Sequence, residues 1–291
     1  MTPLNRTSRD ILNTPARAAR KKEKRKHLAR IAVLLGAVAL VIMGLLSWGA
    51  HQSSVRIQTI VAEGNRVVST EEIERVVREA IEGKYILLFP RDNAFLYSEQ
   101  RIERALLTTH KDLKSIRISF EGLTELSIRV TEREPKALWC GEAITRPSGS
   151  CFFMDAQGLV YAQAPDFSPG AYREFYGSLT STALADDESS PLGNQFWTSE
   201  KLTAASALAD RIDALVSPVR SFSIEDLAGE IVLAGGGTII LNGDQAMDRL
   251  PDILEAAVST KKGEGKDMVT INYIDLRLAD TAGKVYFKFN E

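Results

Sequence analysis

Histidine, the side chain most often used for proton transfer near neutral pH, occurs three times in this chain. His27 lies in a basic segment, His51 directly follows an apolar segment, and His110 lies near the end of a predicted helix. The three are far apart in sequence, and none belongs to a recognisable catalytic motif. The sequence also has no G-x-S-x-G motif, no Walker A motif and no recognisable spacing of metal ligands. We therefore expect a protein that is not an enzyme, with no catalytic residues, no metal and no cofactor.

Two aspartates, Asp155 and Asp275, lie at predicted strand or turn positions. They would suit a pair of active-site carboxylates, but a hydrogen bond from an aspartate to its own turn is the more ordinary role. Residues 235–237 are three consecutive glycines that lead into the apolar strand pattern of residues 238–241. A phosphate-binding loop would lead into a helix instead, so we interpret these glycines as a hairpin turn.

The two cysteines, Cys140 and Cys151, are separated by a turn pattern that contains Pro147, Ser148 and Gly149. Two strands that fold back on this turn could bring the sulfur atoms together, and thiols outside the cytoplasm can oxidise. A disulfide and two free or buried thiols are both compatible with the sequence. A metal site is disfavoured, because no histidine or further cysteine lies nearby.

The apolar stretch 31–50 divides the chain into two unequal parts. At about 1.5 Å per residue it is long enough to cross a bilayer core of about 30 Å. Residues 1–30 carry ten Lys or Arg against two acidic residues. They lack hydrophobic periodicity, so we expect a disordered tail, and positive charge beside a span stays on the cytoplasmic side. The sequence thus predicts a single-pass type II protein of the cell (inner) membrane, with residues 51–291 outside the cytoplasm.

Two other interpretations of this N-terminal region are weaker. Cleavage as a signal peptide has one feature in its favour, the small-x-small triplet Ser47-Trp48-Gly49, but the apolar stretch exceeds the usual signal-peptide core. Binding of the basic tail to nucleic acid is disfavoured, because residues 1–30 contain no Phe, Tyr or Trp for base stacking. We therefore expect an uncleaved anchor and no nucleic-acid partner.

Residues 51–133 have the pattern of a small domain of strands and helices. A strand pattern at 55–62 is followed by a helix whose start is marked by Ser69 and Glu72, a capping-box pair. A second helix pattern and two alternating strand patterns follow. The predicted order is strand, helix, helix, strand, strand, and three strands of this kind can bury one face against two helices.

Residues 134–291 are predicted mainly as strands, with two helices among them. Strand patterns flank both cysteines and recur along the region. The last two predicted strands cover 268–276 and 284–289, and we expect them to lie at a sheet edge. Residues 163–196 read as a loop, because prolines and acidic residues replace any regular periodicity. The predicted fold class is α+β, with one N-terminal transmembrane helix.

Four segments of the chain resemble the FtsQ family of bacterial cell-division proteins, called DivIB in Gram-positive bacteria. The segments are Gly64-Asn65 with Ser69-Thr70-Glu71-Glu72-Ile73, then Val130, Glu132, Arg133 and Pro135 with Ala137 and Trp139, then Asp155, Gly158, Val160 and Tyr161, and lastly Ile274-Asp275-Leu276-Arg277. Each segment is short, and the resemblance over residues 31–289 rests on their order and spacing behind one apolar span. It implies a POTRA domain within 51–133 and a second, β-rich domain over 134–291.

The resemblance also implies a scaffold of the divisome, the protein assembly at the division septum. Family members bind two other single-pass proteins, FtsB and FtsL, which regulate septal peptidoglycan synthesis by FtsW and FtsI. An extended partner segment can add to an open sheet edge through main-chain hydrogen bonds. The partner-binding residues implied here are Leu276, Leu278, Ala279, Lys284, Tyr286 and Lys288. Lys284 and Lys288 would equally suit an edge protected by its charges against pairing.

Two further functional classes are compatible with an anchored extracytoplasmic protein. A POTRA-containing export or envelope-assembly factor would usually feed a transmembrane β-barrel, and the many ten-residue amphipathic strands of a barrel are missing from the sequence. A cell-wall hydrolase or transferase would need a nucleophile or a metal constellation, and the sequence contains no recognisable pattern of either. The divisome scaffold is therefore the expectation that the sequence favours.

Overall fold

A computed structural model of the chain describes residues 15–168, 170–185, 190–225, 228–243 and 245–290. Within these residues, six α-helices and a mixed β-sheet make the protein α+β, as the sequence predicts. Residues 1–14 of the predicted tail and the acidic residues 186–188 of the predicted loop lie outside the described residues. The chain forms two compact units, one containing residues up to 60, 81–98 and 120–126, the other containing residues 61–80, 99–119 and 127–291.

The first helix, α1 (Pro15–Ala50), is 36 residues long. Its segment from Glu23 to Ala50 is long and apolar enough to cross a membrane, and its most apolar part is not buried within the described structure. This is consistent with a single-pass membrane protein. The prediction of disorder is corrected for residues 15–30, which continue the helix, because Ala, Arg and Lys are strong helix formers.

A three-stranded sheet follows α1, with two helices and a small two-stranded ladder. The sheet order is β1-β5-β4, and the ladder pairs β2 with β3. The predicted order of strand, helix, helix, strand, strand is present, and the ladder lies between the two helices within the segment predicted as a connection. The elements are β1 (Thr59–Glu63), α2 (Thr70–Ile81), β2 (Lys84–Tyr85), β3 (Phe89–Pro90), α3 (Glu99–Thr109), β4 (Leu113–Glu121) and β5 (Glu125–Glu132).

Helix α2 forms where the capping pattern predicts it. The Ser69 hydroxyl accepts a hydrogen bond of 3.2 Å from the Glu72 N–H, so one of the unpaired N–H groups of the first turn has a partner. The Glu72 carboxylate accepts hydrogen bonds from Arg75. The predicted apolar face is buried, and it consists of Ile73, Val76, Val77, Ala80 and Ile81.

A nine-stranded mixed sheet contains the remaining strands. Its order is β14-β13-β12-β11-β10-β9-β6-β7-β8. The pairs β6–β9, β9–β10 and β12–β13 are parallel, and the other neighbouring pairs are antiparallel. The strands are β6 (Ala137–Ala143), β7 (Arg146–Met154), β8 (Val160–Gln163), β9 (Glu174–Tyr176), β10 (Val219–Glu225), β11 (Ala228–Leu233), β12 (Thr238–Asn242), β13 (Ile271–Asp275) and β14 (Tyr286–Phe289).

Strand β9 corrects the prediction that residues 163–196 form a loop. It lies between β6 and β10, in the interior of the sheet, and is parallel to both. Phe175 at its centre is buried against Phe222 of β10, with the two rings stacked at 5.1 Å between centroids. Three residues are too short for an alternating pattern to be visible, so the position of the strand is set by tertiary packing.

Two helices pack on this sheet and build its main core. Helix α4 (Ser199–Leu215) begins where the Thr198 hydroxyl accepts a hydrogen bond from the Lys201 N–H. Helix α5 (Leu250–Gly263) has Pro251 in its first turn, where no N–H donor is needed, as the sequence predicts. Buried side chains of both helices join the sheet core, namely Leu202, Ala205, Leu208, Ala209, Ile212, Leu250, Leu254 and Val258.

The three glycines at 235–237 turn β11 into β12, which pairs with it antiparallel as predicted. Gly236 and Gly237 have positive φ angles of 90° and 87°. A Cβ atom on Gly237 would lie 2.5 Å from the Ile271 carbonyl oxygen, so only glycine fits this approach to β13.

The last two strands are shorter than predicted. A 3₁₀ turn at Met268–Thr270 precedes β13, and helix α6 (Ala279–Ala282) lies between β13 and β14. The Asp267 carboxylate accepts a hydrogen bond of 3.0 Å from the Val269 N–H and so favours the turn over a strand start. Gly283, with φ of 61°, ends α6 and returns the chain to the sheet.

Candidate functional site

Strand β14 forms one edge of the nine-stranded sheet and has β13 as its only neighbour among the described residues. The pairing is antiparallel, with Asp275 opposite Tyr286 and Ile274 opposite Phe287. In an antiparallel strand, successive residues turn their N–H and C=O groups alternately to the two sides. About half of the main-chain groups of β14 therefore face the outer edge, where an extended segment could pair with them.

Side chains of β14 alternate between the two faces of the sheet. Phe287 and Phe289 are partly buried and pack against the main core, with their rings stacked at 6.2 Å. Tyr286 and Lys288 are exposed. The strand is therefore attached to the core by its phenylalanines and presents Tyr286 and Lys288 on the opposite face.

The six residues implied as partner contacts fall into two groups. Four of them are accessible, namely Leu278, which is 46% exposed, Lys284, Tyr286 and Lys288. Leu276 and Ala279 are fully buried in the main core, so their assignment as partner contacts is corrected. Leu276 directly follows β13, and its N–H donates to the Ile240 carbonyl of β12 at 2.8 Å. Its side chain lies two residues after that of Ile274, which is also fully buried.

Sequence reasoning missed two aromatic–cation contacts at this edge. The ammonium group of Lys288 lies 6.0 Å from the ring centroid of Tyr273 on β13, and that of Lys266 lies 5.7 Å from the ring centroid of Phe289. These distances are within the range of cation–π attraction. Both lysines therefore lie against aromatic rings of their own chain beside the edge strand.

Asp275, the second aspartate considered for chemistry, is paired locally. Its carboxylate accepts hydrogen bonds from the Arg277 guanidinium, at 2.6 Å from Nη2, and from the Arg277 N–H at 3.0 Å. The guanidinium hydrogen bond is the main reason why the pKa of the Asp275 carboxyl is below its ordinary value. The ionised carboxylate therefore holds the turn after β13.

Glu132 connects two of the four segments that carry the family resemblance. Its carboxylate accepts three backbone hydrogen bonds, from the N–H groups of Arg66, Val67 and Val68, at 2.8, 2.9 and 3.0 Å. Burial alone would raise the pKa of Glu132, but the three N–H donors outweigh it and hold the pKa below its ordinary value. This carboxylate is a structural anchor for the turn that precedes α2.

Arg133 connects the next two segments. Its guanidinium forms an ion pair with Asp155 in which the two side chains are 9% and 3% exposed. Its Nε donates to the Lys111 carbonyl at 2.9 Å, and its backbone N–H donates to the Asp112 carbonyl at 2.7 Å. Burial also raises the pKa of the Asp112 carboxyl. The pair is thus part of a buried polar group that links β5 to the turn after β7.

Asp155 itself holds the turn that follows β7. Its Oδ1 accepts hydrogen bonds from the N–H groups of Gln157 and Leu159, at 2.9 and 3.0 Å. Gly158 completes the turn with φ of 82°, and a Cβ there would lie 2.1 Å from the Trp197 carbonyl oxygen. These contacts favour the structural interpretation of Asp155 over an active-site carboxylate.

Replacing Glu132 by glutamine should destabilise the protein by about 1–2 kcal/mol at neutral pH, because hydrogen bonds to a charged acceptor are the stronger ones. The folded state lowers the pKa of Glu132, so its contribution is complete above the ordinary value of 4.5 and is lost as the pH falls through the folded value. The difference between the parent and Glu132→Gln in urea unfolding should therefore shrink on acidification. Glu134→Gln, at an exposed neighbour, is the control, and an equal effect of both would contradict the prediction.

The structure joins Cys140 and Cys151 by a disulfide between β6 and β7. The two sulfurs lie in a small cluster with Leu138, Ala164 and Tyr176, on the opposite side of the sheet from residues such as Trp139. Of the alternatives that the sequence leaves open, the structure thus has the bonded form. Disulfides of this kind persist in oxidising compartments.

The described residues include no group of three or more potential metal ligands. His110 follows α3, and its Nε2 is buried 3.8 Å from the Glu72 carboxylate, beyond hydrogen-bond distance.

A cleft of about 610 Å³ is lined by Lys136, Arg173 and Ser206 among others. The Ser206 hydroxyl donates to the Leu202 carbonyl within its own helix, so it is committed to a local hydrogen bond.

Comparison with known proteins adds no relative of this chain. The chain matches no protein-family model and no curated protein. The class that the structure defines is therefore an α+β protein with one candidate membrane span. Its resemblance to FtsQ proteins rests on the order and spacing of the four sequence segments.

Proposed function

We propose that the protein is a single-pass scaffold of the divisome, of the FtsQ type, anchored in the inner membrane by α1 with its N-terminus in the cytoplasm. In this proposal residues 51–133 form a POTRA domain, and residues 134–291 form the domain that binds partners at the septum. The observation that carries the proposal is the open edge of β14 on a large, well-packed sheet.

The proposed mechanism is strand addition. An extended segment of an FtsB- or FtsL-like protein pairs with the outer main-chain groups of β14 and becomes a tenth strand of the sheet. Main-chain hydrogen bonds supply affinity, whereas Leu278, Tyr286 and Lys288 supply specificity, because their side chains are exposed beside the pairing edge. The scaffold thereby positions its partners, which in turn regulate FtsW and FtsI.

The membrane span contributes to this function by confinement. Partners with their own spans move in the same plane, so their effective concentration near β14 is high and modest contacts suffice. The scaffold has no step of chemistry in this proposal, and its activity is to hold segments of other proteins at one place.

The double variant Tyr286→Ala, Lys288→Glu should weaken capture of an FtsB- and FtsL-like complex by about 30-fold or more. Loss of an interface hot spot costs about 2 kcal/mol, and each 1.4 kcal/mol is a factor of ten in affinity. The measurement is equilibrium binding to the full chain in nanodiscs, together with the mid-cell fluorescence of a tagged protein in dividing cells.

The matched control is Gln163→Glu, an exposed position on β8 at the opposite edge of the same sheet. It should leave binding unchanged, since it is equally accessible but lies outside the proposed contact. Unfolding by urea should be similar for the two variants. Normal partner binding by a folded double variant would rule out β14 as the capture edge.

A further inference from the structure

The short hairpin of β2 and β3 carries apolar side chains at its tip that have no partner in the described structure. Ile86 and Leu87 are 85% and 88% exposed, and Leu88 is 41% exposed. Isolated exposed apolar residues are ordinary on a protein surface, whereas adjacent ones at the tip of a projecting hairpin are typical of a contact site.

The backbone of this tip is held in a conformation that its residues disfavour. Ile86 and Leu87 both have positive φ angles, 48° and 62°, and the Leu88 N–H donates to the Tyr85 carbonyl at 3.0 Å. A tight turn with two positive φ angles prefers Asn-Gly, and a β-branched residue there is a marked outlier. The turn thus presents two large apolar side chains where small polar ones would fit more easily, which points to a function of the side chains.

Hydrogen bonds fix the hairpin beside the C-terminal end of α1. The Ser47 hydroxyl donates to the Leu88 carbonyl at 2.8 Å, and the Asn93 side-chain amide donates to the Ala50 carbonyl at 3.0 Å. Ser47 lies three residues before the last residue of the helix, or about 4.5 Å along its axis. The Leu88 carbonyl therefore lies at the level of the last apolar turn of the span.

The same compact unit contains further contacts that hold this arrangement. The Ile57 N–H donates to the Asp92 carbonyl at 2.8 Å, and the Ala94 N–H donates to the Val55 carbonyl at 2.8 Å. The Arg56 guanidinium pairs with the Asp92 carboxylate, with its Nε 3.0 Å from Oδ2. The chain that leaves α1 is thus attached to the segment that follows β3.

We propose that the tip of this hairpin, Ile86 and Leu87, inserts among the lipid acyl chains next to the C-terminal end of α1. The Leu88 carbonyl, directly after the tip, lies beside the last turn of α1, and a bilayer crossed by α1 offers lipid as the apolar medium at that level. Trp48 and Phe95 are also strongly exposed in this unit, as expected of aromatic residues at a membrane–water interface.

The main-chain groups of Leu88, directly after the tip, are paired within the protein. In hydrocarbon each main-chain polar group needs a partner within the protein, because water is absent. The Leu88 carbonyl has such a partner in the Ser47 hydroxyl of the span itself, and the Leu88 N–H has one in the Tyr85 carbonyl. The inserted tip gives this unit a second membrane contact beside α1. The proposal rests on α1 crossing the bilayer and is independent of any division partner.

The test uses the full chain in nanodiscs of phosphatidylcholine and phosphatidylglycerol whose acyl chains are brominated. Each variant carries one fluorophore on an introduced cysteine, because both native cysteines are in the disulfide. Leu87→Cys probes the tip, Leu40→Cys probes the span, and Val269→Cys is an exposed apolar position elsewhere. We expect the label at 87 to be quenched by brominated lipid several-fold more than that at 269, and to resist aqueous iodide as the label at 40 does.

A second variant separates lipid contact from a merely structural turn. In the double variant Ile86→Asn, Leu87→Gly the backbone turn is retained or improved, whereas both apolar side chains are removed. With the fluorophore on Leu88→Cys, lipid quenching should fall several-fold in the Asn-Gly background. If the tip had only a structural role, lipid quenching of the label at position 88 would not change, because Asn-Gly suits this turn.

Any of four results would overturn the proposal. Iodide quenching at 87 equal to that at 269 would place the tip in water. Shielding of 87 from both iodide and brominated lipid would place it against protein. Absence of lipid quenching at 40 would show that α1 does not span, and the insertion proposal would fail with it, whereas quenching at 40 without quenching at 87 would reject insertion alone.

Discussion

Replacing Arg133 by leucine should destabilise the protein by about 3–5 kcal/mol, the range for breaking a buried ion pair by removing one partner. The substitution leaves the Asp155 carboxylate without its cation in a site where that side chain is 3% exposed. It also removes the Nε–H donor of the Lys111 carbonyl. The measurement is urea unfolding of the full chain in detergent, followed by circular dichroism and extrapolated linearly to water.

Arg129→Leu is the matched control for this prediction. Arg129 lies on β5 and pairs with Glu63 at 2.8 Å, but these two side chains are 67% and 49% exposed. An exposed pair of this kind contributes about 0–1 kcal/mol, because water screens it. Equal destabilisation by Arg133→Leu and Arg129→Leu would contradict a structural role for the buried pair.

Substitutions at Asp155 separate its two roles. Asp155→Asn removes the charge but keeps an oxygen that can accept from the N–H groups of Gln157 and Leu159, so the turn after β7 is retained. Asp155→Ala removes both the charge and the acceptor and should be the more destabilising of the two. Combining Arg133→Leu with Asp155→Asn should cost less than the sum of the single variants, because the uncompensated charge is gone.

These contacts give the charged residues of the segments that resemble the FtsQ family structural roles in the fold. Three of the four segments that resemble the FtsQ family meet through Glu132, Arg133 and Asp155. Each of these ionisable side chains is committed to backbone groups or to an opposite charge inside the protein. These three side chains therefore have structural roles that connect the segments.

Patterns that depend on local periodicity could be predicted from the sequence. The apolar face of α2, the glycine turn after β11 and the strand at Thr238–Asn242 all follow from spacing within a few residues. Helix and strand periods are properties of the backbone, so a single sequence is enough to reveal them. The long apolar span is a signal of the same kind.

Features set by distant contacts could not be predicted in this way. Leu276 is predicted to contact a partner, but its side chain is buried in the main core among residues from distant parts of the chain. The tip of the β2–β3 hairpin was missed as well, because Ile86 and Leu87 are not turn-forming residues. In both cases the tertiary structure overrides the local preference.

Strand β9 is the clearest case of such tertiary control, and Phe175→Ala tests it. Phe175 is 1% exposed, and its ring contacts those of Phe196, Trp197 and Phe222, at 5.9, 5.7 and 5.1 Å between centroids. Truncation of a buried phenylalanine loses apolar contacts and leaves a cavity, so we expect a cost of about 3–5 kcal/mol. Urea unfolding measures this cost directly.

Phe167→Ala provides the comparison within the same segment that the sequence suggested to be a loop. Phe167 is partly exposed, and its ring contacts those of Phe153 and Tyr172 at 5.7 and 5.1 Å, outside the main core. Its truncation should cost about 1 kcal/mol, as is typical of most substitutions away from a core. If both variants were equally mild, residues 174–176 would not be an interior strand, and the sheet would be divided between β6 and β10. A large effect of Phe175→Ala alone would confirm that residues 174–176 lie in the interior of the sheet between β6 and β10.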